Sequence, residues 1–507
     1  MNRSLFLLLC LVSPAWVGGA RAASLLAAKP ANILLVIVDD LGWRDLACYG
    51  SPVYETPAID RLAAEGMRFT DAYVAYPRCV PSRYSLYRGQ VPQRVQGAFS
   101  SIVPGEMNLA QALKQAGGYS TFFAGKWHLS KVPAEEPQAR GFDVNIAGGA
   151  AGLVGSHFAP YNPPSTHKSS EPRSILGGLD DTSKVEFLAD RSPLVGLDDA
   201  PKGEYIADRL TRETDRFIRA HAESGAGKPF FAVLAHYGVH TPLQAPAGDI
   251  ARFKKKIAGL TFDGSDYLDR DETTKAHQDN ATYAAMVFSV DRSLSTLMDT
   301  LRELKLERDT IVIVTSDNGG LSNRGKTNKR ELATSNLPLR AGKGHLYEGG
   351  VRVPFIVRWP QVVPAGSISS AVITLTDVYP TLLAAGNMPL HPEQHIDGEN
   401  FLPALRGEAF ERGPIVWQNV NPRPDPTGDY ASSAMRVGKW KVIVFHDDQR
   451  TELYDLNADL GENHDLALTR PEKAREMREQ LFRLLKNSGA YLPGTDLAEW
   501  RKSKKAG

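Results

Sequence analysis

Short apolar runs, each stopped by acid, glycine or proline, set the pattern of this chain. The run Asn32–Val38, NILLVIV, is continuous and rich in β-branched residues, and it ends at Asp39-Asp40-Leu41-Gly42. A strand that is apolar on both faces belongs inside a parallel sheet covered by helices. Similar runs at 120–124, 230–235, 310–315 and 353–358 predict further strands. A helix is expected over Pro57–Glu65, ended by Gly66. The clearest helix lies between two strands. There Tyr283, Val287, Val290, Leu294, Leu297, Leu301 and Leu304 alternate in steps of four and three, one apolar stripe at helical period. A buried strand, a long amphipathic helix and another buried strand make an α/β layered domain.

The pattern weakens from about residue 141. Residues 150–201 are rich in Gly, Pro, Ser and Asp and read as long loops over the sheet edge, the kind of insertion that shapes a substrate pocket. Near residue 411 the texture changes again. Residues 435–445 alternate like an antiparallel strand pair, and 471–486 form a charged amphipathic helix. The expectation is a main domain over 23–410 and a small α+β domain over 411–507. Residues 1–22 stand apart. A basic start, an apolar run and a small-residue exit around Ala20-Arg21-Ala22 form a signal peptide, so the mature chain is expected to be secreted or periplasmic. No later segment approaches the roughly 20 apolar residues of a membrane span.

Composition narrows the partners. The 507 residues carry a formal charge of +1, so no global field recruits nucleic acid or a membrane surface. Of three cysteines, Cys10 leaves with the signal and only Cys48 and Cys79 remain, too few for a disulfide scaffold. Cys48 reads as a packed free thiol, with a single Cys48–Cys79 bridge as the alternative. Cys79 stands in YPRCVPSRYSLYRG, a polar, arginine-rich, proline-broken stretch that gives a structural thiol no reason to be there.

Two acidic doublets follow two buried strands: Asp39-Asp40, and Asp317-Asn318-Gly-Gly after TIVIVTS. In open parallel sheets, ligands sit outside the carboxyl ends of the strands. Either doublet alone reads as turn and cap chemistry. Together, at matched strand ends, they are an oxygen-rich set whose mutual repulsion a hard divalent cation relieves, Ca²⁺ or Mg²⁺ in preference to a thiophilic metal. Three basic elements also fall at strand exits or loops beyond them: Gly125-Lys126-Trp127-His128, His236-Tyr-Gly-Val-His240-Thr-Pro242, and Lys343 in Gly342-Lys-Gly-His345. Cation ligands, lysines and histidines at one sheet edge describe a site for an anionic ester.

Cys79-Val-Pro81-Ser82-Arg83, followed by Leu86 and Gly89, resembles the sulfatase signature C-x-P-S-R-x-x-L-x-[ST]-G, departing from it at Arg88. The resemblance continues through Asp39-Asp40, Gly125-Lys-Trp-His128, His240-Thr-Pro, Ser316-Asp-Asn-Gly and Gly342-Lys-Gly. It extends to Leu346-Tyr-Glu-Gly-Gly-Val-Arg-Val-Pro354 and Glu452-Leu-Tyr-Asp-Leu456, so it spans nearly the whole mature chain.

The resemblance implies an alkaline-phosphatase-like fold: a mixed, mostly parallel sheet sandwiched by helices, with a smaller C-terminal α+β domain. It also implies that Cys79 is oxidised to formylglycine by a formylglycine-generating enzyme or an anaerobic maturase. The hydrated aldehyde would supply one hydroxyl to attack sulfur and a second whose deprotonation releases sulfate. By the same resemblance, one calcium ion per chain would be held by Asp39, Asp40, Asp317, Asn318 and residue 79. Arg83, Lys126 and Lys343 would hold the reacting oxygens and the sulfate, with His128 as base and His240 as acid. His236 competes for the acid role and, with His345 and Arg78, is a candidate for contact with substrate. The expected activity is hydrolysis of sulfate esters, of a sulfated carbohydrate in the first place. The alternatives are a formylglycine-dependent phosphonate monoester or phosphodiester hydrolase, and a non-catalytic carbohydrate-binding relative.

Overall fold

The computed structural model describes residues 30–95, 101–161, 194–270 and 272–500. The expected signal stretch 1–22 and residues 162–193 of the expected loop region lie outside the described residues. In the described remainder, 151–161 and 194–201 contain no helix or ladder strand, as their composition predicts.

The layer that positions everything else is an eight-stranded sheet. Its order is Ser367–Ser369, Met67–Phe69, Phe355–Arg358, Thr310–Ser316, Asn32–Val38, Phe230–His236, Ser120–Gly125 and Val144–Ile146. The five strands from Thr310–Ser316 to Val144–Ile146 run parallel, and Phe355–Arg358 lies antiparallel to both of its neighbours. The expectation of a mixed, mostly parallel sheet therefore holds. The run expected at 353–358 begins its ladder two residues later, because Pro354 has no N–H to give.

Alternate residues of one strand fall into opposite cores. Ile33, Leu35 and Ile37 join Phe231, Val233 and Ala235 on one face, whereas Leu34, Val36 and Val38 join Phe230, Ala232 and Leu234 on the other. This is the period of two acting inside a sheet buried on both sides. The second face carries the helices Pro57–Glu65, Ile206–Glu223 and Ala281–Glu303, the last presenting Tyr283, Val287, Val290, Leu294, Leu297 and Leu301 as its buried stripe. Leu304 caps that helix rather than continuing it. The first face carries Cys79–Arg88, Leu109–Gly117 and Val378–Ala385.

A separate antiparallel sheet follows, Ile415–Asn419, Ser432–Val437, Trp440–Phe445 and Thr451–Asp455 in chain order. The strand pair expected at 435–445 is its centre. The helix Pro471–Asn487 lays Met477, Leu481 and Leu485 on Met435, Val442, Val444 and Leu453. This unit is tied to the main layer by buried charge. Lys441 Nζ stands 2.8 Å from both Glu348 Oε1 and Glu462 Oε1, and Arg352 Nε donates to Glu348 Oε2 at 2.6 Å. Removing Lys441 would leave Glu462 buried without its basic partner, the costly case for a buried ion network. Among the described residues no helix is long and apolar enough to cross a membrane.

Candidate active site

Val38 pairs with both Ser316 and His236 in the sheet register, so the residues that follow these three strands leave the sheet side by side. Asp39 and Asp40 leave the first strand, and Asp317 and Asn318 leave the second. Asp40 N donates to Asp317 Oδ1 at 3.2 Å, and Asn318 Nδ2 donates to Asp40 Oδ1 at 2.7 Å. Asp40 sits in the left-handed region at φ 62°. That conformation costs of order 1–3 kcal/mol for a residue with a Cβ and persists only where its surroundings over-determine it. Here Tyr283 of the long helix does so. Its hydroxyl donates to Asp40 O at 3.3 Å and to the buried carboxylate of Asp45, which also accepts Gly42 N.

The strand Ser120–Gly125 brings Lys126 alongside. At Gly125 φ is +104°, and a Cβ would lie 1.8 Å from Ala235 O, so only glycine lets the chain turn there toward the site. Lys126, wholly buried, donates from Nζ to Asp39 Oδ2 at 2.6 Å. Two residues on, His128 is again left-handed at φ 59°, and its Nδ1 lies 3.6 Å from Cys79 Sγ.

Cys79 heads the helix Cys79–Arg88. Its sulfur, Asp39 and Asp317 offer ligand atoms that all lie within 4.8 Å of one another. One turn later Arg83 donates from Nε to Asp317 Oδ2 at 2.7 Å and from Nη1 to Lys126 O at 2.5 Å. Both cysteines are free, which excludes the Cys48–Cys79 bridge. Cys48 is partly buried against the core of the second face, and burial and then Asp60 push its thiol well above the ordinary range. Arg88 does not join this network; it is buried at the far end of the helix, with Nε 3.9 Å from Glu106.

Lys343 closes the far side, its Nζ 2.7 and 2.8 Å from the two Asp40 oxygens, and His240 Nε2 stands 3.7 Å from Asp40 Oδ2. His240 Nδ1 lies 2.7 Å from Thr241 O; a carbonyl only accepts, so Nδ1 carries the hydrogen and Nε2 is the nitrogen free to exchange a proton. The structure thus brings Asp39, Asp40, Cys79, Arg83, Lys126, His128, His240, Asp317, Asn318 and Lys343 into one cluster.

Charge and burial set the protonation. Burial pushes Asp39 up to about 7 even with Lys126 beside it. Asp40 behaves oppositely: against its burial, Lys343 and then His240 hold it well below the usual carboxylate range. Burial, then Lys126 and Arg83, drives His128 far down, and burial with Lys343 brings His240 to about 3. Both imidazoles are therefore neutral near pH 7.

The residues fit a hard cation. Asp39 Oδ1 and Asn318 Oδ1 are buried oxygens without a hydrogen-bond partner, beside two further carboxylates. Buried oxygens left unbonded call for an ion or a donor, and an all-oxygen set around one sulfur suits Ca²⁺ or Mg²⁺.

The three candidate substrate contacts are placed differently. Arg78 donates from Nη2 to Asp429 Oδ2 at 2.6 Å and from Nη1 to Asn421 O at 2.7 Å, so its charge is already matched. His345 is buried, with Nε2 3.0 Å from Thr427 O. His236 is buried with neither ring nitrogen bonded, and burial alone holds it near 4. The first two share a feature with no local sign in the sequence. The connection 420–431 of the small sheet packs against the neighbours of Cys79 and Lys343 and is pinned by Arg78, His345 and Asn419, whose Nδ2 donates to Asp429 Oδ2 at 2.7 Å. It carries Arg423 close enough for its charge to be coupled to Cys79. A basic residue in a Pro-Arg-Pro turn gives no local sign of such a position.

Comparison with known proteins gives this site its family. Residues 31–388 match the family model Sulfatase, and residues 341–489 match N-sulphoglucosamine sulphohydrolase, C-terminal. The chain belongs to the sulfatase family and is a sulfuric ester hydrolase with the alkaline-phosphatase-like fold expected from its motifs. It is 30% identical to arylsulfatase A of Homo sapiens, covering 88% of this chain and 85% of that protein. It is 29% identical to N-acetylgalactosamine-6-sulfatase of Canis lupus familiaris, covering 96% and 85%. Among solved structures, Ps i-CgsB in complex with k-i-k-neocarrahexaose superposes with a TM-score of 0.72 at 28% identity, covering 94% of this chain and 98% of the other.

Proposed function

We propose that this sulfatase acts outside the cytoplasm on the sulfate ester of a sulfated carbohydrate, using residue 79 as formylglycine and one calcium ion. The observation that carries the reading is the joined cluster: the signature cysteine heads its helix against the unbonded oxygens of Asp39 and Asn318, with Lys126, Arg83, His128 and His240 around it. The relatives support the substrate class, being named for N-acetylgalactosamine 6-sulfate and, in one solved complex, holding a neocarrahexaose. Residues 1–22 direct export, 23–410 form the catalytic unit, and 411–507 form the smaller domain whose 420–431 connection contacts Arg78 and His345 beside the site. A formylglycine-generating enzyme or an anaerobic maturase is the partner the modification requires.

Asp39, Asp40, Asp317, Asn318 and the side chain at 79 would hold the calcium. Bound there, it lends positive charge to the reacting oxygens and makes a hydroxyl at residue 79 more acidic. The protein's own groups do the rest. Arg83, fixed by Asp317, and Lys126, fixed by Asp39, keep two cations beside residue 79, where they favour its negatively charged attacking oxygen and the sulfate it meets. Lys343 binds a sulfate oxygen from the other side. His128 is neutral and its Nδ1 faces residue 79, so it accepts the proton lost there. His240 offers Nε2 to the leaving sugar oxygen. The sulfate entering beside it supplies the negative charge that lets the ring hold the proton it delivers.

The test is parallel turnover of an aryl sulfate, an aryl phosphate diester and sulfated saccharides by the matured enzyme. Sulfate hydrolysis that exceeds diester hydrolysis and disappears in Cys79→Ala supports the reading. Higher efficiency on the diester overturns it in favour of a phosphodiester hydrolase.

A further inference from the structure

The stretch between Asn318 and Lys343 leaves the site and returns to it. Ala333 N donates to Leu321 O at 3.1 Å, Thr334 Oγ1 to Asp45 Oδ1 at 2.7 Å, and Lys343 N to Gly320 O at 3.1 Å. The loop that this hairpin carries is held firmly at its own backbone. Arg330 N donates to Asn328 Oδ1 at 2.9 Å, and Arg330 O accepts from the Arg324 guanidinium. The loop in turn rests on the 420–431 connection, where Gly325 N donates to Asp425 O at 2.9 Å and Asn328 Nδ2 to Asp425 Oδ2 at 3.0 Å.

A pinned backbone here carries an unsatisfied side chain. Arg330 Nε and Nη2 are buried and have no hydrogen-bond partner. These two nitrogens form the side-on edge of the guanidinium, whose parallel N–H bonds match a carboxylate or sulfate bidentately. A buried donor left unbonded is costly, more so when charged, and native proteins seldom keep one without a use. Burial pulls Arg330 below its ordinary value; the charges of Asp40 and Asp425 work against that through space, and Arg324 works with it. Neither acid closes the fork. Asp40 is bonded to Asn318 and Lys343, and Asp425 to Asn328 and Thr327. Lys126, Arg83, Lys343 and Arg78 each have a carboxylate in contact, Asp39, Asp317, Asp40 and Asp429 respectively, although Arg83 Nη2 and Arg78 Nε also lack a hydrogen-bond partner.

We propose that Arg330 is a specificity residue whose side-on edge binds a second oxyanion, a carboxylate or a further sulfate, on the sugar whose sulfate ester is cleaved. This rests on the sulfatase reading and sharpens its substrate class to polyanionic saccharides. A sugar bearing one sulfate fills the Lys343 side alone, whereas one with a neighbouring acid group also satisfies Arg330 and gains affinity.

The experiment compares kcat/KM of the matured wild type, Arg330→Lys and Arg330→Ala on three substrates. These are a monosulfated N-acetylhexosamine, the same sugar with a second sulfate, and the monosulfated sugar joined to a hexuronate. Expected is a wild-type preference for at least one doubly anionic substrate. That preference falls at least tenfold in Arg330→Ala, through KM, and is partly restored in Arg330→Lys, which keeps the charge but loses the fork. The arm that loses preference identifies the anion as sulfate or carboxylate. Preferences unchanged within twofold in both variants overturn the proposal, as does an equal loss on all three substrates. A wild type that hydrolyses no sulfate ester overturns the sulfatase reading itself, an outcome visible before any variant is compared.

Discussion

Replacing Lys343 by alanine separates what this side chain does for the fold from what it does for the substrate. Its ammonium touches both Asp40 oxygens, at 2.7 and 2.8 Å, and both residues are nearly inaccessible. Asp40 is held well below the usual carboxylate range, so it is charged at neutral pH. Without the lysine, that buried charge keeps the Asn318 amide as its close side-chain donor. Removing one partner of a buried ion pair costs roughly 3–5 kcal/mol. At roughly 2.1 cal/mol/K per residue, the unfolding entropy of a chain of 507 residues is about 1 kcal/mol/K. In chelator, Lys343→Ala should therefore melt about 3–5 °C below the wild type. Saturating calcium should recover most of that loss, because an ion held by Asp40 replaces the missing charge. Activity should not recover with it. Loss of a charge aimed at the developing anion costs roughly 10²–10³ in kcat. Calorimetry with chelator and with calcium, beside turnover of an aryl sulfate, reads both effects. Equal melting of variant and wild type in chelator would contradict this role of Lys343, as would a deficit that calcium leaves untouched.

Other outcomes follow from the same geometry. His240→Ala should lose roughly 10²–10⁴ in turnover of sugar sulfates, whose alkoxide leaves poorly, but far less with a nitrophenyl sulfate, whose leaving group needs no proton; equal losses would remove His240 from the acid role. Asp291 accepts the N–H groups of Ala58 and Ile59 at 2.9 and 2.8 Å, and burial raises it from 3.8 to about 6. Above the unfolded value the folded state keeps this proton longer, so its contribution to stability is present at low pH and declines as pH rises through 6. The stability difference between wild type and Asp291→Asn should thus shrink or reverse by about 3 kcal/mol from pH 4 to pH 7 in urea unfolding; a constant difference would contradict it. Gly125→Ala, which sets a Cβ 1.8 Å from Ala235 O, should give little folded protein, read as yield and melting temperature.

How far the sequence could be read depended on whether a function was written locally. Asp39-Asp40 and Asp317-Asn318 end runs of apolar residues, and the register of Val38 with Ser316 turns two local signals into one site. The helical stripe from Tyr283 to Leu301 was likewise legible, because periodicity reports a buried face. Arg78 and His345 were not. Their partners lie 351 and 82 residues away, in a turn whose Pro-Arg-Pro-Asp-Pro sequence says only that it is a turn. His236 looked like its neighbour His240 in sequence, yet the strand directs it to a place where neither ring nitrogen finds a partner. Arg330, within Lys-Thr-Asn-Lys-Arg-Glu, reads as ordinary solvated charge. Only the hairpin closed by Ala333 and Leu321 brings it back beside the acidic turn.

In the proposed reaction residue 79 acts as an aldehyde made from cysteine. The mass of the peptide that carries it, taken from enzyme that turns over an aryl sulfate, tests this most directly. Expected is loss of sulfur and two hydrogens with gain of one oxygen, in a fraction that tracks specific activity. An intact thiol at residue 79 throughout fully active enzyme would contradict it.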